Sequence, residues 1–169
     1  MKILTRLPFS EARSEVGTPD GISEVKPYQI ILMVSITARN IVELDAGAPR
    51  IPAILDTGHN HNLAIRREQL NLWVKLSEPE RGQIRVGGVR VSLVPANVWI
   101  HPNRPGTRES AARPAFKLEL REGIAVYPPE ISNPARLPTL GLRGIVRNGL
   151  KLVIDGQRRE VTLKTSGWF

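Results

Sequence analysis

Asp56, His59 and His61 are the residues of this sequence whose types and spacing could support catalysis or metal binding. They lie in the stretch IPAILDTGHNH, residues 51–61, directly after an apolar run. An ionised carboxylate at the end of a buried strand costs several kcal/mol unless hydrogen bonds or a shared proton compensate for its burial. The position of Asp56 therefore needs a physical explanation.

Two explanations follow from the residues alone. In the first, Asp56 begins an Asx-type turn, in which its side chain accepts backbone N–H groups and Gly58 supplies a positive φ. In the second, His59 and His61 stand two residues apart, so an extended backbone points both to one side. With Asp56 they could form a metal site of two histidines and one carboxylate. Such a site gives no role to Thr57 or Gly58.

The composition limits the classes of function. The 169 residues fit one domain with a real hydrophobic core. The absence of cysteine excludes disulfides, thiolate metal sites and cysteine nucleophiles, and fits a cytoplasmic protein. No signal peptide or apolar run of the ~18 residues needed for a membrane helix is present, so we expect no membrane association.

The net charge of +8 comes mostly from arginines. These arginines are scattered and often alternate with acids, and aromatic residues do not interleave with them as in a base-stacking surface. We therefore expect no nucleic-acid partner, and no cofactor.

The pattern of apolar residues predicts an all-β domain with one or two short helices. Residues 1–26 are polar and lack a sustained period, so they predict an N-terminal arm, followed by the domain proper over 27–169. Residues 28–40 and 51–55 read as two strands joined through a turn at 45–47, and 63–73 as a short helix after a strand. Seven prolines between 101 and 138 favour irregular connections there, around short strands at 116–120 and 123–127.

Two further segments are well patterned. In GQIRVGGVRVSLV (82–94), alternating residues flank Gly87-Gly88, which indicates a hairpin with a tight turn. In LPTLGLRGIVRNG (137–149), a strand leads through a glycine into a short helix that ends at Gly149. The following residues, 150–164, predict a second hairpin with Asp155-Gly156 as its turn.

AILDTG (53–58), followed some eighty residues later by PTLGLRGI (138–145), resembles the retropepsin-like aspartic proteases. In that family an Asp-Thr-Gly loop is followed by a hairpin flap, and then by a segment of two hydrophobic residues and glycine that leads into a helix. The last segment crosses behind the loop and completes a ψ-shaped motif. The resemblance covers roughly residues 27–163.

The resemblance implies a closed β-barrel in an obligate symmetric homodimer that hydrolyses peptide or protein substrates. Asp56 would be the catalytic residue, Thr57 would bond across the dimer, and Gly58 would let backbone approach the carboxylates. The other implied residues are the second loop behind the site, Leu140 and Gly141, and a flap within 78–92 with Gly87 and Gly88 near its tip.

The chemistry of this family requires a water molecule between two carboxylates. Two carboxylates about 3 Å apart cannot both ionise, so one serves as acid and the other as base. The sequence contains four aspartates, and only Asp56 lies in the motif, so the second must come from another chain.

The sequence departs from the family at three positions. His59 replaces the usual Ala or Ser, and Asn60 and Leu142 replace an acid–arginine pair of the retroviral members. These differences indicate a distant, non-viral member. They also leave two alternatives open: a retropepsin-like dimer that binds peptides or acts as a scaffold without turnover, and a metal-binding domain that uses Asp56, His59 and His61.

Overall fold

The computed structural model describes residues 2–102, 114–129 and 137–165, and strands dominate this part of the chain. The strands are β1 (Lys2–Pro8), β2 (Ser14–Thr18), β3 (Gly21–Val25), β4 (Ile30–Thr37), β5 (Ile51–Asp56), β6 (Leu63–Arg66), β7 (Gly82–Val86), β8 (Val89–Val94), β9 (Asn97–Ile100), β10 (Phe116–Leu118), β11 (Ile124–Tyr127), β12 (Thr139–Gly141), β13 (Leu150–Asp155) and β14 (Glu160–Thr165). The helices are α1 (Arg67–Gln69), which continues as a π-helical turn over Leu70–Val74, and α2 (Leu142–Arg147). The prediction of a mainly β protein with few short helices is confirmed.

The described strands form three sheets. The largest has nine strands in the order β10-β9-β4-β5-β12-β6-β11-β8-β7, and the others have the orders β1-β14-β13 and β2-β3. Within the described residues β10 and β7 pair on one side only, so the nine-stranded sheet is open. The closed barrel that we expected is therefore not found in this part of the chain, because no ladder joins the two edges.

Strands β4 and β5 form the antiparallel pair that the apolar pattern predicts. Leu32 and Val34 on β4 are fully buried, and their neighbours Ile31 and Met33 are half-buried, so both faces of β4 are covered. The sequence predicts a turn at residues 45–47, and there the N–H of Gly47 donates to Asp45 Oδ1 at 2.7 Å, which makes it an Asx-type turn. This pair places the end of β5 near the middle of the large sheet.

The sequence predicts a polar N-terminal arm over residues 1–26, whereas the structure has three strands there, β1 to β3. Strand β1 pairs antiparallel with β14, and Ile3, Leu4 and Leu7 are buried in the main core. Strands β2 and β3 form a separate hairpin. The local pattern failed because Arg6, which has a φ of 56°, interrupts the ladder and breaks the alternation. The partner strand also lies far away in the sequence.

The remaining helical and hairpin predictions are confirmed, with one difference. The segment after β6 is helical and buries Leu70 and Trp73, while α2 leads to Gly149, whose φ is 62°. Strands β13 and β14 pair, but Asp155 faces Glu160, so the loop is longer than the two-residue Asp-Gly turn. Among the described residues, no helix has the length and apolar composition that a membrane crossing requires. Residues 103–113 and 130–136 of the proline-rich stretch lie outside the described residues.

His101 is a buried ionisable residue in this core. Its Nε2 lies 2.8 Å from Ser35 Oγ, and that hydroxyl donates to the carbonyl oxygen of Pro49 at 2.7 Å. Because the single hydroxyl proton is used in this way, the His101 Nε2–H must donate to Ser35. Burial lowers the pKa of His101 to about 4, and the Arg50 guanidinium acts in the same direction. His101 is therefore neutral in the folded protein near pH 7.

We predict that His101 makes the protein sensitive to acid. An unfolded histidine binds its proton near pH 6.5, whereas folded His101 binds it near pH 4, so its contribution to stability is complete above pH 6.5. That contribution falls by about 3 kcal/mol as the pH drops to 4. Urea unfolding at pH 7 and pH 4.5 should show a smaller pH-dependent loss in His101→Gln than in the wild type. Equal losses in the two proteins would contradict this role.

Candidate active site

Asp56 is the last residue of β5, and its side chain is exposed in the single chain. The N–H of Gly58 donates to Asp56 Oδ1 at 2.8 Å, and the N–H of His59 donates to the Asp56 carbonyl oxygen at 3.3 Å. This is the same Asx-type turn that Asp45 makes elsewhere. The core strand therefore delivers Asp56 to the surface, where its charge stays solvated.

Gly58 contributes space to this turn. It does not belong to the described glycines with a positive φ, so the expectation that it supplies a left-handed conformation is wrong. A Cβ added at Gly58 would lie 3.3 Å from Asp56 Oδ1, which is a tight contact. Glycine thus keeps one side of the carboxylate clear. Thr57 and Gly58 are both exposed beside it.

Strand β12 passes behind the Asp56 loop. It lies between β5 and β6, parallel to β5 and antiparallel to β6, with Gly141 opposite Asp56 and Leu140 opposite both Leu55 and Leu63. The loop of residues 57–62 joins β5 to β6 across the end of β12. This ψ-shaped crossing brings Leu140 and Gly141, which are distant in sequence, against the candidate catalytic loop.

Gly141 is the point of closest approach in this crossing. Its N–H donates to the carbonyl oxygen of Asn62 at 3.0 Å. An added Cβ would overlap the carbonyl oxygen of His61 and would lie only 2.5 Å from that of His59. The backbone of Gly141 is extended, with φ −90° and ψ 164°, so the requirement for glycine comes from space. Glycine allows the two backbones to pack directly.

His59 and His61 contact each other in the same loop. Their rings meet edge to face with centroids 5.3 Å apart. Burial lowers the pKa of His59, and His61 lowers it further, whereas the Asp56 carboxylate raises it. Burial and then Arg143 lower the pKa of His61, against an opposing effect of Glu122. Both rings are therefore neutral near pH 7.

The two histidines do not form a metal site with Asp56 in this structure. Within residues 2–102, 114–129 and 137–165, no three His, Cys, Asp or Glu side chains are grouped to hold a metal ion. His59 instead points one ring nitrogen inward, and its Nε2 is buried with no hydrogen-bond partner among these residues. The geometry does not favour the metal alternative.

Asn62 is a residue of the site that the sequence did not single out. Its side chain is buried, and its Nδ2 donates to the carbonyl oxygen of Gly123 at 3.3 Å. The backbone carbonyl oxygen of Asn62 accepts a hydrogen bond from the N–H of Gly141. Asn62 thus ties the end of the loop to β12 and to the turn before β11. Its position at the end of a polar loop before Leu63 was the only available signal.

Glu122 connects that same turn to α2. It accepts ion-pair hydrogen bonds at 2.8 Å from both Arg143 and Arg147, which lie one helical turn apart. On the same helix Leu142 and Val146 are exposed. Helix α2 therefore combines a charged face held by Glu122 with an exposed apolar pair close to Gly141.

Gly87 and Gly88 lie at the tip of the β7–β8 hairpin, with φ values of 56° and 84°. Two consecutive positive φ values are typical of a type I′ turn, which suits the twist of the strands. The predicted hairpin is confirmed. It forms one edge of the large sheet, where β8 is joined to β6 through β11.

We predict that Gly141→Ala destabilises the protein by about 2 kcal/mol or more, because the new methyl group overlaps two loop carbonyls. The matched control is Gly82→Ala, since an added Cβ at Gly82 meets no atom within 4 Å. Urea unfolding compares the two variants. Similar small losses in both would show that β12 does not pack against the loop so closely.

We also predict that Asp56→Asn lowers the pKa of His59 further, because it removes the carboxylate that raises it. A histidine titration by NMR measures this change. The control variant Asp45→Asn has the same turn geometry and should leave the pKa of His59 unchanged. An unchanged or raised His59 pKa in Asp56→Asn would contradict the proximity of the two side chains.

In comparisons with known proteins, the chain matches no family model, no curated protein and no solved structure.

Proposed function

We propose that this chain is an aspartic peptidase of the retropepsin-like type that acts as a homodimer. One observation carries the proposal: Asp56 ends a core strand where β12 passes between β5 and β6, with Gly141 directly behind its loop. A turn alone needs the hydrogen bond from Gly58, which Asp45 and Gly47 also make. Such a turn does not require a third strand, here β12, to pack behind its loop.

The proposed reaction is hydrolysis of a peptide bond by water. The water lies between two Asp56 carboxylates, one from each chain, of which one is ionised and one protonated. The ionised group takes a proton from the water as it attacks the peptide carbonyl, and the other donates a proton to the substrate. No covalent intermediate with the protein is required.

The partner carboxylate must come from a second chain because the other aspartates lie elsewhere. Asp20 accepts a hydrogen bond from Thr18 in the β2–β3 turn, Asp45 closes the β4–β5 connection, and Asp155 accepts the N–H of Arg158. All are tied to turns outside the β5–β12–β6 crossing. A two-fold axis beside Asp56 would supply an identical carboxylate.

The surface around Asp56 can accommodate such a partner. Asp56, Thr57 and Gly58 are exposed together. Gly141 lies opposite Asp56, and Leu142 and Val146 of the helix that follows it expose 41% and 63% of their surface. In the dimer Thr57 bonds across the axis to backbone, and these apolar side chains are buried. This arrangement brings together the two carboxylates and removes exposed apolar surface.

The remaining parts of the loop fit the same role. His59 is neutral near pH 7 because burial and His61 lower its pKa, so it adds no positive charge that would disfavour the protonated member of the carboxylate pair. The β7–β8 hairpin, with Gly87 and Gly88 at its tip, is the proposed flap that closes over a peptide and excludes water.

The decisive experiment measures cleavage of a degenerate peptide library from acid to neutral pH. Asp56→Asn should reduce the rate by roughly 10²-fold or more, because it removes the acid–base pair. Asp45→Asn, a carboxylate in the same local turn, should retain activity. Activity that persists in Asp56→Asn, or that is lost with a chelator, would exclude this mechanism.

A mixing experiment tests whether two chains share the site. When wild type and Asp56→Asn exchange subunits at equal amounts, activity per wild-type chain should fall to about half, since only homodimers of wild type are complete. Activity that stays constant per wild-type chain, or light scattering that finds a strict monomer, would contradict a shared site. Peptide affinity without turnover in either protein would instead identify a binding or scaffolding dimer.

A further inference from the structure

Arg85 and Arg90 face each other directly across the β7–β8 hairpin, and both are exposed. The turn at Gly87-Gly88 makes Val86 and Val89 the hydrogen-bonded closing pair, so Arg85 and Arg90 occupy the adjacent non-hydrogen-bonded position. Cross-strand side chains are closest at that position. Like charges directly opposite each other destabilise a hairpin.

The neighbouring acid does not relieve this repulsion. Glu80 forms an ion pair with Arg67 at 2.7 Å, and hydrogen bonds from Ser92 and Gln83 help to lower its pKa. Gln83 and Ser92 form the next pair on the face that carries the arginines. Glu80 is thus already engaged, and no carboxylate among the described residues forms an ion pair with Arg85 or Arg90.

The opposite face of the hairpin holds it against the sheet. Ile84 and Val91 pair there, and Val91 is fully buried in a cluster with Ala64 and Ala125. The arginine pair therefore projects away from the packed side. Its two side chains leave directly opposite backbone positions on a hairpin whose base is anchored.

We propose that Arg85 and Arg90 bind a carboxylate side chain of a peptide, so that the substrates of this protein are acidic peptides. The substrate assignment rests on the proposed peptidase function, in which this hairpin is the flap. A carboxylate between two guanidinium groups accepts charge-assisted hydrogen bonds from both and cancels their mutual repulsion. Binding of the carboxylate is therefore favoured both by these hydrogen bonds and by the loss of the repulsion between the two arginines.

A peptide carboxylate fits this surface better than a nucleic-acid backbone. The pair spans one anionic group, whereas nucleic-acid binding uses an extended series of basic residues and stacking aromatics. The neighbours on this face, Gln83 and Ser92, are uncharged hydrogen-bonding groups.

The test measures peptide binding in the Asp56→Asn background, where turnover does not interfere. Fluorescence anisotropy compares a Glu-containing peptide with the same peptide carrying Gln, in the parent and in Arg85→Gln, Arg90→Gln and the double variant. The single variants should weaken binding of the Glu peptide roughly 10-fold or more and leave the Gln peptide unaffected. The control Lys151→Gln removes one exposed charge from a different sheet and should change neither.

A second readout separates a binding pair from a merely structural one. Without peptide, either arginine variant should increase amide-exchange protection in β7 and β8, because the repulsion is removed. With the Glu peptide, protection should increase more in the parent than in the variants. Reduced protection in the free variants would overturn the inference.

The outcomes distinguish this inference from the proposed function. If no peptide is cleaved but the Glu peptide binds through Arg85 and Arg90, the carboxylate site stands and the peptidase function fails. If peptides are cleaved with no preference for acidic sequences in either the parent or the arginine variants, the site fails and the peptidase function stands. Equal binding of a single-stranded oligonucleotide through the same two arginines would also overturn the peptide assignment.

Discussion

Strand β12 can lie behind the Asp56 loop only because Gly141 has no side chain. Two carbonyl oxygens of the loop occupy the space that a Cβ would need, and the N–H of Gly141 bonds to the end of the same loop. This packing fixes the order β5-β12-β6 and therefore the place where Asp56 reaches the surface. The geometry of the candidate site follows from one backbone contact more than from any side chain.

The loop is then held from both ends. At its start, the N–H of Gly58 donates a hydrogen bond to the Asp56 carboxylate. At its end, Asn62 forms hydrogen bonds to the turn before β11 and to β12. The same turn carries Glu122, which holds α2 by two arginines. Loop, turn and helix thus form one connected unit around the carboxylate. In the proposed dimer, a loop supported in this way would need little reorganisation when the two chains meet.

Three features could be predicted from the sequence because each has a local period and a turn signal. They are the order of most strands along the chain, the β7–β8 hairpin and the β12–α2 segment. The sequence indicated Asp56 and Gly141 through motif resemblance. It did not reveal the strand β1, whose pattern is interrupted at Arg6 and whose partner is distant. It also did not reveal Asn62, since a buried amide is recognised only by what surrounds it. The open sheet could not be predicted, because closure depends on edge pairing between strands that share no local signal.

The pairing of β1 with β14 has a consequence for how the chain folds. Leu4 pairs with Leu163, and both belong to the core that also contains Leu32 and Ile51. A contact of such sequence separation requires the closure of a very long loop, so it forms late and slows folding. Until β13 and β14 have been synthesised, the sheet that buries the apolar side chains of β1 cannot form. A nascent chain therefore carries this short apolar strand without its pairing partner while all the residues between β1 and β14 are being made.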